Sequence, residues 1–135
     1  MLCSILQRAL TVRRLEAAYR RGIFPWYSEG QPVLWWSPDP RMVLLVDEFR
    51  LKRSLRKTIA KFIRTPGNEV RIDSAFRQVI GACAGTPREG QDGTWIVPEM
   101  VEAYVAWHRL GTVHRFETWI DDELAGALYG VSLGR

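Results

Sequence analysis

The stretch VHRFETWI-DDE-LAGALYGVSL, residues 113–133, is the most informative about the fold of the second half of the chain. Val113–Ile120 and Leu124–Leu133 flank the acidic turn Asp121-Asp122-Glu123. Two strand-like runs around a short polar turn are typical of an antiparallel hairpin. The second strand runs up to Arg135 with no obvious partner on its far side, although exposed sheet edges are usually covered in natural proteins.

A helix precedes this hairpin. Pro98 suits the first helical position, where a missing N–H costs nothing, and Gly111 ends the helix. Apolar residues recur at helical spacing and predict its buried face, which is formed by Val101, Tyr104 and Val105.

Further towards the N-terminus we expect a strand, a helix and a loop. Val70–Asp73 is a short strand, and Ser74 then caps a helix. The inward side chains of that helix are Phe76, Val79, Ile80 and Cys83. Ala84–Thr94 is polar and glycine-rich, which is typical of a mobile or ligand-contacting loop. The predicted order in the second half is therefore strand, helix, helix, strand, strand.

The first half combines two helices with a proline-rich stretch. The first helix runs from about Thr11 to Arg21, with Gly22 as its cap. Four prolines between residues 22 and 41 forbid a helix there, so we expect turns and short strands at Val33–Trp36 and Met42–Val46. The second helix follows Arg50, is stopped by Pro66-Gly67, and carries Leu55, Ile59 and Phe62 at helical spacing.

Length and composition limit the possible protein classes. The chain has 135 residues, of which 47% are hydrophobic and 25% charged, so wholesale disorder is excluded. No apolar run is long enough to cross a bilayer, and no secretory signal is recognisable, so a cytoplasmic protein is expected. Cys3 and Cys83 cannot form a disulfide framework, and no Cys/His cluster has zinc spacing. A net charge of +4 mildly favours polyanionic partners.

A basic segment is the first candidate binding site. Six basic residues and no acidic residue lie between positions 50 and 61. On a helix, Arg53, Lys57 and Lys61 follow one another at four-residue steps and form one cationic stripe. Such cations neutralise phosphates and release counterions. A solvated helix face is the alternative, but the lack of interleaved acids favours contact with nucleic acid.

Six tryptophans are many for a chain of this length. Trp107 and Trp119 lie in a predicted helix and strand, where packing is the better explanation. The tryptophans in irregular segments are Trp26, Trp35, Trp36 and Trp95. Flat aromatic faces presented from loops can stack on bases, but loop tryptophans also fill small cores, so composition leaves both interpretations open.

Acid–base candidates are few. His108 lies near a helix C-terminus, where a cation is favourable for structural reasons, and His114 begins a strand. Neither has a neighbouring Ser or Cys that suggests a triad, so we assign neither a catalytic role. No phosphate loop or dinucleotide fingerprint is present.

Motifs along nearly the whole chain resemble those of the bacterial leucyl/phenylalanyl-tRNA–protein transferases. The first two are YRRGIFPWY from residue 19 and LWWSPDPR ending at residue 41. Further agreement comes from GTWI at 93–96, VEAY at 101–104, and EL at 123–124 leading into LYGV at 128–131. The match extends from about Leu15 onward.

The resemblance implies an α+β fold, with a small N-terminal α/β domain (residues 1–66) followed by the first part of an acetyltransferase-like (GNAT-type) domain (residues 67–135). It implies a cytoplasmic, monomeric aminoacyltransferase without metal or organic cofactor. The family transfers Leu or Phe from aminoacyl-tRNA to proteins with N-terminal Arg or Lys, which marks them for degradation under the N-end rule.

The resemblance also assigns roles to individual residues. Trp26 and Trp95 match the two aromatic residues that stack on the terminal adenosine of the tRNA, and Tyr104 matches a tyrosine lining the same site. Leu128 stands in the apolar pocket for the Leu or Phe side chain, where the family often has Met. The basic helix that grips the acceptor stem corresponds to Arg53, Lys57 and Lys61.

The sequence departs from the family at both ends. Residues 1–10 do not align with the family's glycine-rich approach to the first helix, and the family continues past the Tyr-Gly-Val strand into segments that supply catalytic and acceptor-binding groups. We therefore expect a truncated member whose catalytic residues would lie beyond residue 135. A non-catalytic module that holds an RNA 3′ end is the alternative, and a protein-interaction domain using tryptophans as hot spots is a third interpretation.

Overall fold

The computed structural model describes residues 2–3, 9–85 and 96–134, which form a mixed helical and β structure. The helices in these residues are α1 (Val12–Tyr19), α2 (Arg53–Arg64), α3 (Phe76–Gly85) and α4 (Pro98–Arg109). The strands are β1 (Leu2–Cys3), β2 (Phe24–Pro25), β3 (Trp35–Trp36), β4 (Asn68–Ile72), β5 (Val113–Ile120) and β6 (Glu123–Val131). The predicted α+β class is confirmed, whereas its acetyltransferase-like character stays a prediction.

The larger sheet has the antiparallel order β4-β5-β6, so the predicted succession of strand, helix, helix, strand, strand is confirmed. A two-residue turn joins β5 to β6, with Asp121 and Asp122 at φ 49° and 61°. Two positive φ angles in succession match the right-handed twist of a hairpin, and Asp tolerates them better than most residues. The turn is one residue shorter than the sequence suggests, because Glu123 already pairs with Ile120.

Helices cover one face of this sheet. From α4, the side chains of Met100, Tyr104 and Trp107 are fully buried, and Val113 of β5 joins the same core. Leu15 anchors α1 in this cluster. Trp107 is thus a packing residue, as its helical position predicts.

A small sheet of order β1-β3-β2 precedes the larger one. It contains part of the proline-rich stretch, with Trp35 buried opposite Pro25. The Thr11 hydroxyl caps α1, and Gly22 adopts the positive φ of 70° that lets the chain turn after the helix. The first predicted helix and its cap are therefore confirmed.

The predicted strand at Met42–Val46 is wrong. Residues 42–45 pair with no strand of the described residues, and Val46 already belongs to a short helical turn, Val46–Glu48. The side chains of the predicted strand are exposed, Met42 at 98%. A run of apolar residues has strand propensity, but a strand also needs a partner for its backbone hydrogen bonds.

Helix α2 forms where the spacing predicts it, yet none of its residues is buried. Its apolar side chains Leu55, Ile59 and Ile63 are exposed to solvent. None of the helices among the described residues is long and apolar enough to span a bilayer.

Candidate functional site

Strand β5 divides its side chains between two different environments. Val113, Arg115, Glu117 and Trp119 are buried beneath the helices. The intervening residues, which point to the opposite face because successive strand residues alternate, are His114, Phe116, Thr118 and Ile120. The sheet therefore has one covered face and one open face, and each holds a different cluster of side chains.

The covered face contains an ion pair between Arg115 and Glu117, both with fully buried side chains. The Glu117 carboxylate also accepts hydrogen bonds from the Ser74 backbone N–H at 2.9 Å and from Trp119 Nε1 at 2.8 Å. Burial by itself would raise the pKa of Glu117, but hydrogen bonds from Ser74, Trp119 and Arg115 lower that pKa to about 2. The Ser74 hydroxyl also donates a hydrogen bond to the Glu117 carboxylate. Glu117 thereby joins β5 to the residues that precede α3.

The open face holds an apolar row that crosses all three strands. Ile72 of β4 lies beside Phe116 of β5, which lies beside Leu128 of β6. The row forms part of the wall of an open cavity of about 500 Å³. Leu128 is 69% exposed, so its side chain is available to a ligand. An apolar floor of this kind suits an apolar group of a ligand.

A histidine–aspartate pair lies beside this cavity, with His114 in the cavity wall, and sequence reasoning missed it. His114 Nδ1 lies 2.7 Å from Asp73 Oδ2, and the other Asp73 oxygen accepts from the Arg115 backbone N–H at 2.9 Å. Asp73 adopts a positive φ of 56° directly after β4. Because 41 residues separate the two side chains, only the register of β4 against β5 brings them together. His114 lines the cavity beside Gly130, its cross-strand neighbour.

Each member of this pair shifts the pKa of the other. Burial by itself would raise the pKa of Asp73, but hydrogen bonds from His114 and the Arg115 backbone bring that pKa below its usual range. The hydrogen bond to Asp73 raises the pKa of His114 above its ordinary value, and the backbone carbonyl of Gly111 contributes in the same direction. The pair is therefore favoured with an ionised aspartate and with Nδ1 of the imidazole as the donor.

Trp26 presents its ring from the small sheet, and 46% of the residue is exposed. Its backbone N–H donates to the Leu34 carbonyl at 2.9 Å, and its own carbonyl accepts from Trp36 Nε1 at 2.8 Å. The Trp36 ring packs against the Trp26 ring, with the ring centroids 6.3 Å apart and the ring planes tilted by 53°. These contacts fix the backbone of Trp26 and leave part of its ring to solvent. Trp95, its predicted partner, lies outside the described residues.

Tyr104 lies on the covered side of the larger sheet and is almost completely buried. Its hydroxyl is 2.5 Å from that of Tyr19, and its ring meets Tyr129 edge-on at 5.7 Å. Burial and the neighbouring tyrosines raise its pKa. The structure thus does not bring Tyr104 and Leu128 together, since Leu128 lies on the open face.

The predicted cationic stripe is present on α2. Arg53, Lys57 and Lys61 are all exposed, and none of them forms an ion pair within the part of the chain that the structure describes. Among the same residues, no group of three or more His, Cys, Asp or Glu side chains is placed to hold a metal ion.

Two family models match the chain. Residues 43–135 match the model described as leucyl/phenylalanyl-tRNA protein transferase, and residues 8–39 match the model of the N-terminal domain of the same family. Together they cover the four helices of the described residues, the larger sheet, and strands β2 and β3 of the small sheet.

The chain is also similar to curated proteins named leucyl/phenylalanyl-tRNA–protein transferase. It is 71% identical over 126 residues to the protein of Leptothrix cholodnii, a match that covers 93% of this chain and 49% of the relative. Identity to the protein of Methylibium petroleiphilum is 69%, over 93% of this chain and 48% of the relative. Identity to the protein of Chromobacterium violaceum is 60%, over 93% of this chain and 52% of the relative. The chain spans about half the length of the curated relatives it matches.

Proposed function

Because the chain belongs to the leucyl/phenylalanyl-tRNA protein transferase family, we propose that it binds a leucyl- or phenylalanyl-tRNA as the donor of an aminoacyl group. The whole protein would transfer this Leu or Phe to the N-terminal Arg or Lys of an acceptor protein, as a tag for degradation under the N-end rule. The observation that carries the proposal is the match of both family models, one on each side of residue 40.

The proposed reaction is the aminolysis of an ester. The α-amine of the acceptor attacks the aminoacyl carbonyl, a C–N bond forms, and the bond to the ribose oxygen breaks while the amine loses a proton. An aminoacyl ester is already activated, so holding donor and acceptor together supplies much of the acceleration. No residue of this chain is assigned to the proton transfer. The part proposed for these 135 residues is the binding of the donor.

The 3′ end of the tRNA is proposed to lie on Trp26. A half-exposed indole held by Trp36 offers a flat face to the terminal adenine, and such stacking contributes about 1–3 kcal/mol per base. Trp95 is proposed as the second stacking residue, and Tyr104, although buried in this structure, as a residue that lines the same site. The acceptor stem is proposed to contact Arg53, Lys57 and Lys61, whose charges are free to meet phosphates.

The Leu or Phe side chain of the donor is proposed to occupy the apolar row at Leu128. This assignment is supported by the exposure of Leu128 and by its neighbours Phe116 and Ile72 in one continuous wall. The wall has no charged side chain at its centre, which favours apolar amino acids over polar ones.

Several broader properties belong to the same proposal. The second half, residues 67–135, is proposed as part of an acetyltransferase-like domain, and residues 1–66 as the N-terminal domain. We also propose that the protein is cytoplasmic and monomeric, that it uses neither metal nor organic cofactor, and that it does not bind membranes.

Fluorescence anisotropy with labelled leucyl-tRNA tests the binding. We expect the Trp26→Ala variant to bind about tenfold more weakly, and Trp26→Phe to retain most of the affinity because it keeps an aromatic face. Replacing Arg53, Lys57 and Lys61 by Gln should flatten the dependence of affinity on salt. Replacing three cations in or just after α1 by Gln (Arg13, Arg14 and Arg21) gives the charge-matched control. Affinity that changes with neither Trp26 nor salt would contradict the proposal.

A non-catalytic module that holds RNA 3′ ends is the second candidate. The exposed cationic stripe on α2 and Trp26 support this module as well as they support the transferase, because both features concern RNA binding and not the transfer reaction. Because donor binding is the part of these 135 residues under either candidate, incubation of the whole protein with charged Leu-tRNA and a peptide that begins with Arg separates the two. Transfer of Leu to the peptide supports the transferase, and binding without transfer under conditions where a full-length relative is active supports the module.

A further inference from the structure

The exposed ring of Trp26 lies between two buried neighbours. Pro25 is fully buried opposite Trp35 of β3, and only 4% of Tyr27 is exposed. The Trp26 backbone N–H continues the pairing of β2 by donating to the Leu34 carbonyl at 2.9 Å. Because successive side chains along a strand point to opposite sides, burial of Pro25 and Tyr27 turns the indole between them towards solvent. Groups that anchor Tyr27 therefore also determine the direction of the Trp26 ring.

Tyr27 is anchored outside the small sheet, on helix α4. Its hydroxyl donates a hydrogen bond to Glu99 Oε2 at 3.1 Å, although 72 residues separate the two in sequence. The Tyr27 ring belongs to the same buried cluster as Met100, the residue after Glu99. Burial and the neighbouring Glu99 carboxylate raise the pKa of Tyr27, so its hydroxyl stays protonated and remains a donor. The neighbour of Trp26 is thus held by a helix of the second half of the chain.

The other oxygen of Glu99 holds a third segment. Glu99 Oε1 accepts from the Leu10 backbone N–H at 3.3 Å, just before the Thr11 cap of α1. Glu99 itself lies in the first turn of α4, where the helix dipole favours a negative charge. One carboxylate therefore connects the start of α1, the segment that carries Trp26 and the start of α4.

We propose that Glu99 is a positioning residue for the 3′ end of the tRNA: through the Tyr27 hydroxyl it holds the Trp26 ring in the orientation that stacks on the terminal adenine. This inference rests on the proposed function and deepens it, since Glu99 acts through Tyr27 and does not touch the ligand. A purely structural role for Glu99 would lower stability and leave the contribution of the adenine to binding unchanged.

Two forms of one ligand measure the contribution of the adenine. Both are phenylalanyl-tRNA amides, tRNAs that carry Phe at the 3′ end through a hydrolysis-resistant amide, and in one of them the terminal nucleotide lacks its base. We expect the complete ligand to bind the unmodified chain more tightly. The ratio of the two affinities should fall about tenfold in Trp26→Ala, which removes the stacking face. It should fall about threefold in Tyr27→Phe and in Glu99→Ala, which remove one hydrogen bond between them.

Three further variants separate positioning from stability. Glu99→Gln retains an acceptor for the Tyr27 hydroxyl and should restore most of the ratio. The double variant Tyr27→Phe/Glu99→Ala should lose little more than either single variant, because both changes break the same contact. Glu102→Ala is the matched control, since it removes from the same helix an exposed carboxylate that pairs with Arg77 at 2.6 Å. An unchanged ratio in Tyr27→Phe or Glu99→Ala, or an equal fall in Glu102→Ala, would overturn the inference.

A measurement without RNA keeps this inference separate from the proposed function. The chain is labelled with fluorotryptophan, and the fluorine NMR signal of Trp26 is identified as the one missing from Trp26→Phe. We expect this signal to shift or split in Glu99→Ala, to return in Glu99→Gln and to stay unchanged in Glu102→Ala. If the tRNAs do not bind at all, the proposed function fails, while the fluorine signal still decides whether Glu99 holds the ring. A Trp26 signal that is the same in Glu99→Ala as in the unmodified chain would count against the positioning role.

Discussion

The two faces of the larger sheet are built from the same three strands but are held by different forces. On the covered face, Arg115 and Glu117 share a fully buried ion pair beneath α3 and α4. On the open face, one residue away along β5, Phe116 is half-exposed and lines a cavity. Alternation along a strand therefore separates residues whose loss should unfold the chain from residues whose loss should only weaken ligand binding.

The comparison also shows how the two faces are coupled. The Asp73 that holds His114 on the open face accepts from the backbone N–H of Arg115, whose side chain belongs to the covered face. The Ser74 that follows Asp73 bonds Glu117. One tight turn after β4 thus serves both clusters, so the buried carboxylate fixes the position from which Asp73 holds the imidazole.

The largest effect is expected from Glu117→Ala. This change leaves the Arg115 guanidinium buried without its counter-charge and removes the acceptor of Ser74 and Trp119. Breaking a buried pair in this way costs about 3–5 kcal/mol of unfolding free energy. Urea denaturation followed by far-UV circular dichroism measures it.

Phe116→Thr is the matched control for that substitution. It changes the neighbouring residue of the same strand to another strand-forming residue, and it alters the open face only. We expect a loss of about 1 kcal/mol or less, since half of Phe116 is already exposed. If both variants lost the same stability, the distinction between the two faces would be wrong.

The second-largest effect is expected at acid pH, as a loss of unfolding free energy when Glu117 becomes protonated. The pKa of Glu117 is about 2 in the folded chain, below its ordinary value of 4.5. Its contribution is therefore complete above about pH 5 and is lost as the pH falls towards about pH 2. The unfolding free energies of the unmodified chain and of Glu117→Gln should converge over this range. A difference that stays constant would contradict the assignment.

Much of the fold could be predicted from local patterns. The turn at Asp121-Asp122, the Pro98 start of α4 and the stop at Gly111 all depend on backbone preferences that single residues express. The segment at Met42–Val46 was predicted wrongly because strand formation depends on a partner strand, and no local pattern reports whether one is present.

The site was predictable only in part, for a related reason. Leu128 and Trp26 were identified through their motifs, and the structure exposes both. His114 was set aside because no neighbouring Ser or Cys in the sequence suggests a catalytic triad. Asp73 reaches it only through the antiparallel register of β4 and β5, a long-range property.

A smaller effect is expected from Leu128→Ser, which shortens the apolar row without touching the covered face. Stability should change by no more than about 0.5 kcal/mol, because the side chain is mostly exposed. Binding of the phenylalanyl-tRNA amide should weaken by about fivefold, roughly 1 kcal/mol of lost apolar contact. Leu128→Met conserves volume and should bind normally. Normal binding by Leu128→Ser would remove Leu128 from the pocket.

The smallest effect is expected on the alkaline side, from the pair on the open face. The pKa of His114 is higher in the folded chain than its ordinary value of 6.5, because of the hydrogen bond to Asp73. The bond therefore stabilises the chain fully below about pH 6.5, and this stabilisation is lost as the pH rises through the folded pKa. Since His114 is 42% exposed, the loss should be below about 1 kcal/mol. It is measured as the change in unfolding free energy between about pH 6 and pH 8.5 relative to His114→Asn. A difference between the two proteins that does not narrow with rising pH would show that the imidazole gains no charge-dependent stabilisation from Asp73, and the open face would then owe its order to the covered face alone.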